Sequence, residues 1–458
     1  MVLGTPQCPP LFNLPSWIPT LSDPVIPFNP EPPTYQQISN VIRKMKASGS
    51  PCLPDQLSII CFKRYPFLRT YLSEIIGTAW STGSVPSEWK RACTILIHKK
   101  ENANDPANFR PITLQSVPLK IFTSCLRNAI FNFLSANNYV EHEIQKGFTS
   151  GLCGTFEHTA QMADIVTKAR TKQRSLVITL LDLKNAFGEV HHNLIQTALD
   201  YHHIPNHIKS LVKSLYTDFK TFILTNEFCT PFTSVGRGVL QGDCLSPLLF
   251  SLCFNTFPQH IKSEKYRQFG FSLKFLNPIH WFQFADDAAV ISDQESDNQH
   301  LIKRFIIGCN WSNMIIRVDK CSTFGIRKLC TKSVQYLPKL LINGVLIPCV
   351  EMGESFRYLA RFFDFNMSNN QHMSELSSLV QDLMNDIDIK PLHPKHKLLL
   401  YSRYVLSKLS WDFTIANISK TWITEHLDSV VNGFVLSVRP RGRCPVSLLV
   451  NLLGQSVI

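Results

Sequence analysis

Trp281-Phe282-Gln283-Phe284-Ala285-Asp286-Asp287-Ala288-Ala289-Val290-Ile291 sets two adjacent carboxylates between two apolar runs of strand-forming residues. Apolar runs on both sides of a short polar break predict a β-hairpin with Asp286-Asp287 at its turn. An ionised carboxylate carried into apolar surroundings costs several kcal/mol unless a counter-charge meets it. The pair therefore calls for a cation, and a divalent metal ion is the strongest one. Taken alone, the same two residues also suit an ordinary polar β-turn.

The rest of the chain bounds what such a cation would serve. With 458 residues, 44% of them hydrophobic, it can bury a large core and should divide into roughly two to four subdomains. Lys and Arg number 46 against 34 Asp and Glu, a net charge of +12 that suits a protein resting on polyanions, nucleic acid first among them. The 14 cysteines form no CxxC pair, and Cys8, Cys52, Cys61, Cys93, Cys125 and Cys153 are scattered singly, mostly among apolar neighbours. That spacing predicts buried free thiols in a reducing compartment, not a disulfide framework or a zinc site. The start Met1-Val2-Leu3-Gly4-Thr5-Pro6 lacks a basic-then-apolar signal, and no apolar run reaches membrane-spanning length. A soluble, intracellular protein with no membrane partner is expected.

Residues 1–33 hold ten of the 28 prolines without apolar periodicity and read as a linker or weakly ordered leader. Ile38, Val41, Ile42 and Met45 predict a helix from Tyr35 that Thr34 can cap, and Leu68, Leu72, Ile75 and Ile76 predict another running to Trp80. Cys93–Lys100 reads as a short strand with a doubly basic exit. Asn108-Phe109-Arg110-Pro111-Ile112 reads as a turn into a helix carrying Leu119, Ile121, Phe122, Leu126, Ile130 and Phe133. Leu176–Asp182 is a strand that ends on an acid, followed by a helix with Phe187, Val190, Leu194, Ile195 and Leu199 on one face. Gly236 to Gly242 forms a glycine-punctuated loop, and Ser246-Pro247 opens the apolar helix Leu248–Phe257. Beyond Ile302, helix alternates with short strands such as Ser322–Ile326. The final hundred residues are helical and basic, ending on Arg439-Pro440-Arg441-Gly442-Arg443. No unit repeats.

Asp182 and Asp286-Asp287 thus sit at the ends of apolar strands that can lie side by side in one sheet. Carboxylates so placed can converge on two hard cations about 3.5–4 Å apart, which activate an attacking oxygen and stabilise a leaving one in phosphoryl transfer. Mg²⁺ fits, since it takes oxygen ligands and keeps positions open for phosphates. For Asp182 alone, a helix N-cap is the plainer role.

Six segments, in order, resemble the reverse transcriptase domain of non-LTR (LINE-like) retrotransposons. Lys99-Lys100 with Asn108-Phe109-Arg110-Pro111-Ile112, and then Gln145-Lys146-Gly147-Phe148, look like finger motifs. Leu181-Asp182-Leu183-Lys184-Asn185-Ala186-Phe187, the stretch Gly238–Leu248 and Phe284-Ala285-Asp286-Asp287 look like three palm motifs. The likeness runs from about residue 35 to about residue 440.

That resemblance implies an α+β right-hand polymerase with fingers over 34–175, a palm on an antiparallel sheet over 176–363 with finger and palm insertions, and a helical thumb with a basic C-terminal segment over 364–458. It implies RNA-directed DNA synthesis on an RNA template from a DNA primer or target with dNTPs. Two Mg²⁺ ions, with Mn²⁺ as substitute, would be held by Asp182, Asp286, Asp287 and the Leu183 carbonyl. Arg110, a forked donor, and Lys99, a point charge, would meet the triphosphate. Gln241 and Gly242 would sit at the template base and nucleotide, and Lys320 would protonate pyrophosphate, although a loop lysine is usually only solvated. Phe187 would exclude a 2′-hydroxyl and so choose deoxynucleotides; it also fits as the first core residue of its helix.

Two positions depart from the pattern: Gly188 stands where an Asp usually follows the Phe, and Ala360, in Phe356-Arg357-Tyr358-Leu359-Ala360, stands where a Gly is usual. Gly188 removes a helix-start carboxylate, and Ala360 would strain its hairpin if φ is positive there. His191, His192, His202, His203 and His207 read as a polar helix face, not a zinc site, for want of cysteine pairs. The endonuclease and zinc-finger segments of intact elements are not evident, so one domain of an element or a truncated copy is expected. A nuclear location is expected if it acts on chromosomal targets, and a cytoplasmic one otherwise. A catalytically idle, maturase-like RNA-binding protein is the rival reading, disfavoured by the presence of all three acids; an RNA-making polymerase is disfavoured by Phe187.

Overall fold

The Asp-Asp segment folds as the apolar pattern predicts. Trp281–Phe284 and Asp287–Ser292 pair antiparallel, in register from Trp281↔Val290 to Phe284↔Asp287. A computed structural model describes residues 11–47, 55–99, 102–148, 153–262, 268–272 and 277–437, so the first ten residues, Lys100 and the basic run Arg439–Arg443 lie outside the described residues. The chain divides into two compact units: Met1–Gly154 with Ile178–Cys321 and Lys339–Pro348, and Thr155–Val177 with Ser322–Pro338 and Cys349–Ile458.

In the first unit the strand Leu176–Leu181, most of which belongs there, lies beside Asp287–Ser292. Five of its six residues are buried, as an unbroken run of Leu, Val and Ile demands of a strand covered on both faces. Helix Glu295–Ser312 packs behind this sheet. Its buried Asn298 accepts from Thr179 Oγ1 (2.7 Å) and donates to Ser292 Oγ (3.1 Å), joining the two acid-bearing strands from behind. Phe257, on helix Ser246–Lys262, fills the gap between Trp281 (4.9 Å) and Phe305 (5.3 Å).

A second sheet, order Phe109–Leu114, Arg91–His98, Lys220–Leu224, Thr233–Ser234, belongs to the same unit. Asn108-Phe109-Arg110-Pro111-Ile112, read above as a turn, is mostly strand, with Pro111 opposite Leu96. Proline is tolerated because this is the sheet's edge, where a missing N–H breaks no ladder. The helix that follows is Val117–Ala136; with Tyr35–Lys44 and Pro66–Thr82 it buries Ile38, Ile42, Ile76, Trp80, Phe122 and Leu126. Thr34 caps Tyr35–Lys44 in a reciprocal box with Gln37.

Residues 11–33, read as a linker or weakly ordered leader, instead run as an extended strap over the first unit. Prolines deprive the strap of N–H groups with which its carbonyls could pair, which leaves those carbonyls as acceptors for other donors. Side-chain donors meet them: Trp311 at Asn13 (2.8 Å), Tyr201 at Pro19 (2.8 Å), Tyr139 at Ser22 (2.7 Å) and Trp80 at Pro30 (2.9 Å). Trp17 packs on His260 (4.7 Å) and Phe28 on Phe133 (5.3 Å).

The predicted helix from Phe187 to Leu199 is broken. Ala186–Glu189 ends at Val190, whose backbone is extended, and His192–Tyr201 begins anew. The Gly238 N–H takes the Val190 carbonyl (2.7 Å), so the incoming glycine loop claims a bond the helix would need. The histidines are not a solvent-facing polar row. His202 is fully buried, with Nδ1 at the Ala198 carbonyl (2.6 Å) and Nε2 at Asn255 (2.8 Å). His192 Nε2 meets the Gly238 carbonyl (3.1 Å).

The second unit contains hairpin Ser322–Leu329/Lys332–Tyr336 and the shorter Phe356–Tyr358/Arg361–Phe363. It also holds a helical set whose core includes Leu376, Val380, Met384, Val405 and Leu409. Cysteines among the described residues are free thiols; Cys93, Cys125, Cys253, Cys309 and Cys321 are buried, whereas Cys153, Cys229, Cys244 and Cys330 are exposed. Among the described residues no helix is long and apolar enough to cross a membrane.

Candidate active site

Asp286 and Asp287 occupy a turn held from outside the hairpin. Ala285, at φ +56°, starts the two-residue reversal closed by Phe284↔Asp287. The Ala285 N–H donates to Gln145 Oε1 (2.9 Å), and the Ala285 carbonyl accepts from Gln283 Nε2 (3.1 Å) and Gln145 Nε2 (3.4 Å). Gln145 and Gln283 are both buried, and the two segments bridge as parallel strands through Lys146 N–H to Gln283 O (3.0 Å) and Gln283 N–H to Ile144 O (3.1 Å). A Cβ on Gly147 would stand 2.4 Å from Ala285 N, so only glycine lets this segment lie against the turn. Gln145-Lys146-Gly147 is therefore the clamp of the acid turn, a role its sequence alone does not announce.

Asp182 leaves the apolar strand and pairs with the segment after helix Glu295–Ser312. Arg317 N–H donates to the Asp182 carbonyl (2.9 Å), Lys184 N–H to the Ile315 carbonyl (2.8 Å), and Leu183 faces Ile316. In that antiparallel register the carbonyl of Leu183, itself buried, turns away from Ile316. Asp182 N–H donates to Cys321 Sγ (3.4 Å), whose thiol donates to the Arg317 carbonyl (3.2 Å). Arg317 Nε stands 4.0 Å from Asp182 Oδ2, and its Nη2 lies 3.2 Å from Asp319 Oδ2. Arg317 and Cys321 were not singled out above; an arginine three residues before Lys320, on the segment that must close on Asp182, was the available signal.

The three acids act on one another. Burial raises the Asp286 carboxyl above its ordinary range, the Asp182 charge adds to that, and Arg110 opposes it. Withdrawal of water raises Asp287 to about 6, with Asp286 and Asp182 adding repulsion, although the residue's outer surface is exposed. Asp182, 40% exposed, is raised by burial and held back by Arg317, Lys320 and Lys99. The structure thus brings Arg110 to Asp286, and Lys99 and Lys320 to Asp182, within range of direct charge interaction. Neither Asp286 nor Asp287 has an ion-pair partner among the described residues. Among those residues no group of three His, Cys, Asp or Glu side chains is gathered closely enough to hold a metal ion by itself. The donor set is all oxygen, and Asp286 and Asp287 stay raised despite the surrounding basic residues, which fits a hard cation.

Gln241 and Gly242 lie against the Arg110 strand. Thr113 N–H donates to the Gln241 carbonyl (2.6 Å), and at Gly242, φ +115°, a Cβ would meet the Thr113 carbonyl at 2.7 Å. The next residue, Asp243, was also passed over: it is buried, accepts from Thr123 Oγ1 (2.6 Å) and is raised to about 6 by burial. Phe187 is half-buried and stacks on the fully buried Phe250 (4.2 Å, 6° between planes), with Phe148 edge-on at 5.9 Å. One face of the ring belongs to the core. Gly188 is pinned: a Cβ on Gly238 would lie 3.0 Å from the Gly188 Cα, and one on Gly188 would meet the Asn185 side chain at 2.3 Å. Glu189 holds Arg237 of the glycine loop at 3.0 Å.

These strands, turn and loop fall within the stretch that matches the sequence model for "Reverse transcriptase (RNA-dependent DNA polymerase)". That model matches residues 97–342, and the chain belongs to the family. Its relatives place it with the reverse transcriptase domains of non-LTR retrotransposons. It is 29% identical to the retrovirus-related Pol polyprotein from type-1 retrotransposable element R2 of Nasonia vitripennis, over 53% of this chain and 23% of the relative. It is 24% identical to the corresponding R2 polyprotein of Bradysia coprophila, over 80% of this chain and 41% of the relative. The RNA-directed DNA polymerase from mobile element jockey of Drosophila melanogaster is 24% identical, over 75% of this chain and 36% of the relative. The chain thus spans well under half the length of these curated relatives.

Proposed function

We propose that this chain extends a primer 3′-hydroxyl with dNTPs on an RNA template, as the polymerase part of a non-LTR retrotransposon protein. In this reading residues 34–175 are fingers, 176–363 palm and 364–458 thumb, and the enzyme works on chromosomal targets in the nucleus. The observation that carries it is the set Asp182, Asp286 and Asp287, drawn from neighbouring strands, each raised by burial and each further raised by an acid neighbour, with the turn pair lacking an ion-pair partner among the described residues. Two Mg²⁺ ions, or Mn²⁺ in their place, would supply the counter-charge and the activation of attacking and leaving oxygens that two-metal phosphoryl transfer requires.

The chain's own residues do the rest. Asp182 and Asp286, with Asp287 and the Leu183 carbonyl, would hold the cations. Arg110 offers a planar fork to the triphosphate while its strand backs onto Gln241-Gly242, so nucleotide and template base are gripped by joined elements. Lys99 neutralises phosphate charge, and Lys320 holds the proton that the pyrophosphate oxygen takes on leaving. Phe187, braced on Phe250, presents a ring edge with no hydrogen-bonding group, which excludes a 2′-hydroxyl and admits deoxynucleotides.

Primer extension on an RNA template with Mg²⁺ and dNTPs tests the reading, with Asp286→Ala as comparison. Extension by wild type and none by the variant is expected. A folded wild type that binds RNA without extending would instead be the idle, maturase-like protein, and extension by Asp286→Ala would move the site elsewhere.

A further inference from the structure

Helix Pro66–Thr82 turns Ile76, Leu72, Ala79 and Trp80 inward, as its apolar positions dictate, yet its outer face is aromatic. Phe67, Tyr71 and Ile75 recur at every fourth residue, one helical stripe, and are 66%, 52% and 44% exposed. Tyr65, immediately before the helix, is 59% exposed. Phe67 and Tyr71 stand edge to face with centroids 4.6 Å apart, leaving their remaining surfaces to solvent. Exposed aromatic and apolar patches of this kind commonly mark interaction sites.

The charge around these rings says what they would meet. Helices Tyr35–Lys44, Ile59–Arg64 and Pro66–Thr82 pack together and carry Arg43, Lys44, Lys63, Arg64 and Arg69 against a single acid, Glu74. Lys63 Nζ donates to the carbonyls of Arg43 and Met45, which draws the basic end of the first helix, and Lys46 after it, to the ring-bearing corner. Arg64 is exposed and has no ion-pair partner among the described residues. Phosphates complement such a cation cluster, and unpaired bases complement exposed rings, because every base has a face that stacks. A helical protein partner would cover the rings but would leave the cations unanswered.

We propose that Tyr65, Phe67 and Tyr71, with Arg64 beside them, form a binding platform for single-stranded nucleic acid, separate from the acid-bearing strands. It stacks two or three unpaired bases and meets their phosphates with Arg64 and the Arg43–Lys46 cluster. The platform needs neither metal nor dNTP, so it stands or falls independently of polymerase activity.

Binding of fluorescein-labelled U12 RNA and dT12 DNA, followed by anisotropy in EDTA over a salt series, tests it. Tyr65→Ala/Phe67→Ala/Tyr71→Ala removes exposed rings only and should keep the wild-type melting point while weakening binding at least tenfold. Arg64→Gln should lower the slope of log affinity against log salt by about 0.7, one phosphate contact. Cross-linking of 5-iodouridine RNA should mark the peptide holding Tyr65 to Tyr71. The comparison of U12 with dT12 tells whether template-like RNA or primer-like DNA is the occupant. Wild-type affinity and salt slope in both variants would overturn the proposal. So would a wild-type self-association that the triple variant abolishes while strand binding stays unchanged, since the face would then be a protein interface.

Discussion

Gly147→Ala probes the clamp on the acid turn directly. The added Cβ would lie 2.4 Å from Ala285 N and 3.1 Å from Phe284 C, where ordinary contact begins at 3.4 Å. Both neighbours are backbone, so no side chain can swing aside, and the two segments must part by about 1 Å. They are also tied: Gly147 N–H and Ala285 N–H share Gln145 Oε1, each at 2.9 Å. Separation therefore moves the turn and weakens its clamp together. Overpacking of this kind costs about 1–3 kcal/mol of stability. A displacement of about 1 Å at Asp286 should lower the extension rate about 100-fold. Single-turnover primer extension measures the rate, anisotropy measures primer-template binding, and denaturant unfolding measures the cost. Rate should fall while binding holds. A variant that extends within about threefold of wild type would show that Gly147 does not set the position of Asp286 and would refute the clamp.

Ala360→Gly should stabilise the second unit. Leu359 and Ala360 sit at φ +46° and +66° in the two-residue turn closed by Tyr358↔Arg361, so removing the Cβ relieves left-handed strain of about 1–2 kcal/mol, less about 0.5–1 for glycine's unfolded-state entropy. Unfolding in urea would disprove this if the variant were weaker than wild type. Burial holds His202 down to about 4 from an ordinary 6.5, so the unfolded chain takes up the proton first as pH falls. That contribution is fully present above about pH 6.5, falls by about 2 kcal/mol by pH 5 and is gone below about pH 4. His202→Gln should flatten the loss between pH 7 and 5, and an unchanged slope would refute it. Tyr139→Phe and Tyr201→Phe each remove one donor to the strap, at about 1 kcal/mol apiece. Proteolysis within residues 11–33 should quicken in the double variant; cleavage at the wild-type rate would mean that the strap is held otherwise.

Elements whose signal is local were legible in the sequence. The hairpin, the Leu176 strand and helix Val117–Ala136 follow from apolar runs and a 3.6-residue period. The Pro111 strand was not, because proline suggests a turn until it is known to lie at a sheet's edge. The break at Val190 depends on Gly238, and the strap depends on donors as far away as Trp311. At the site, the three acids announce themselves as carboxylates at the ends of apolar runs, whereas Arg110 and Phe187 stand out only through the family resemblance. Arg317 and Cys321 do not, since a loop arginine and an isolated cysteine carry no periodic signal.

By itself the sequence determined the identity of the acids and the strand ends on which they stand, because an apolar run that stops at a carboxylate constrains its own backbone. Only the tertiary structure decided how Asp286 is aimed. Its turn is bound by Gln145 and crowded by Gly147, about 140 residues earlier in the chain, and contacts over such a separation leave no pattern in the residues between them.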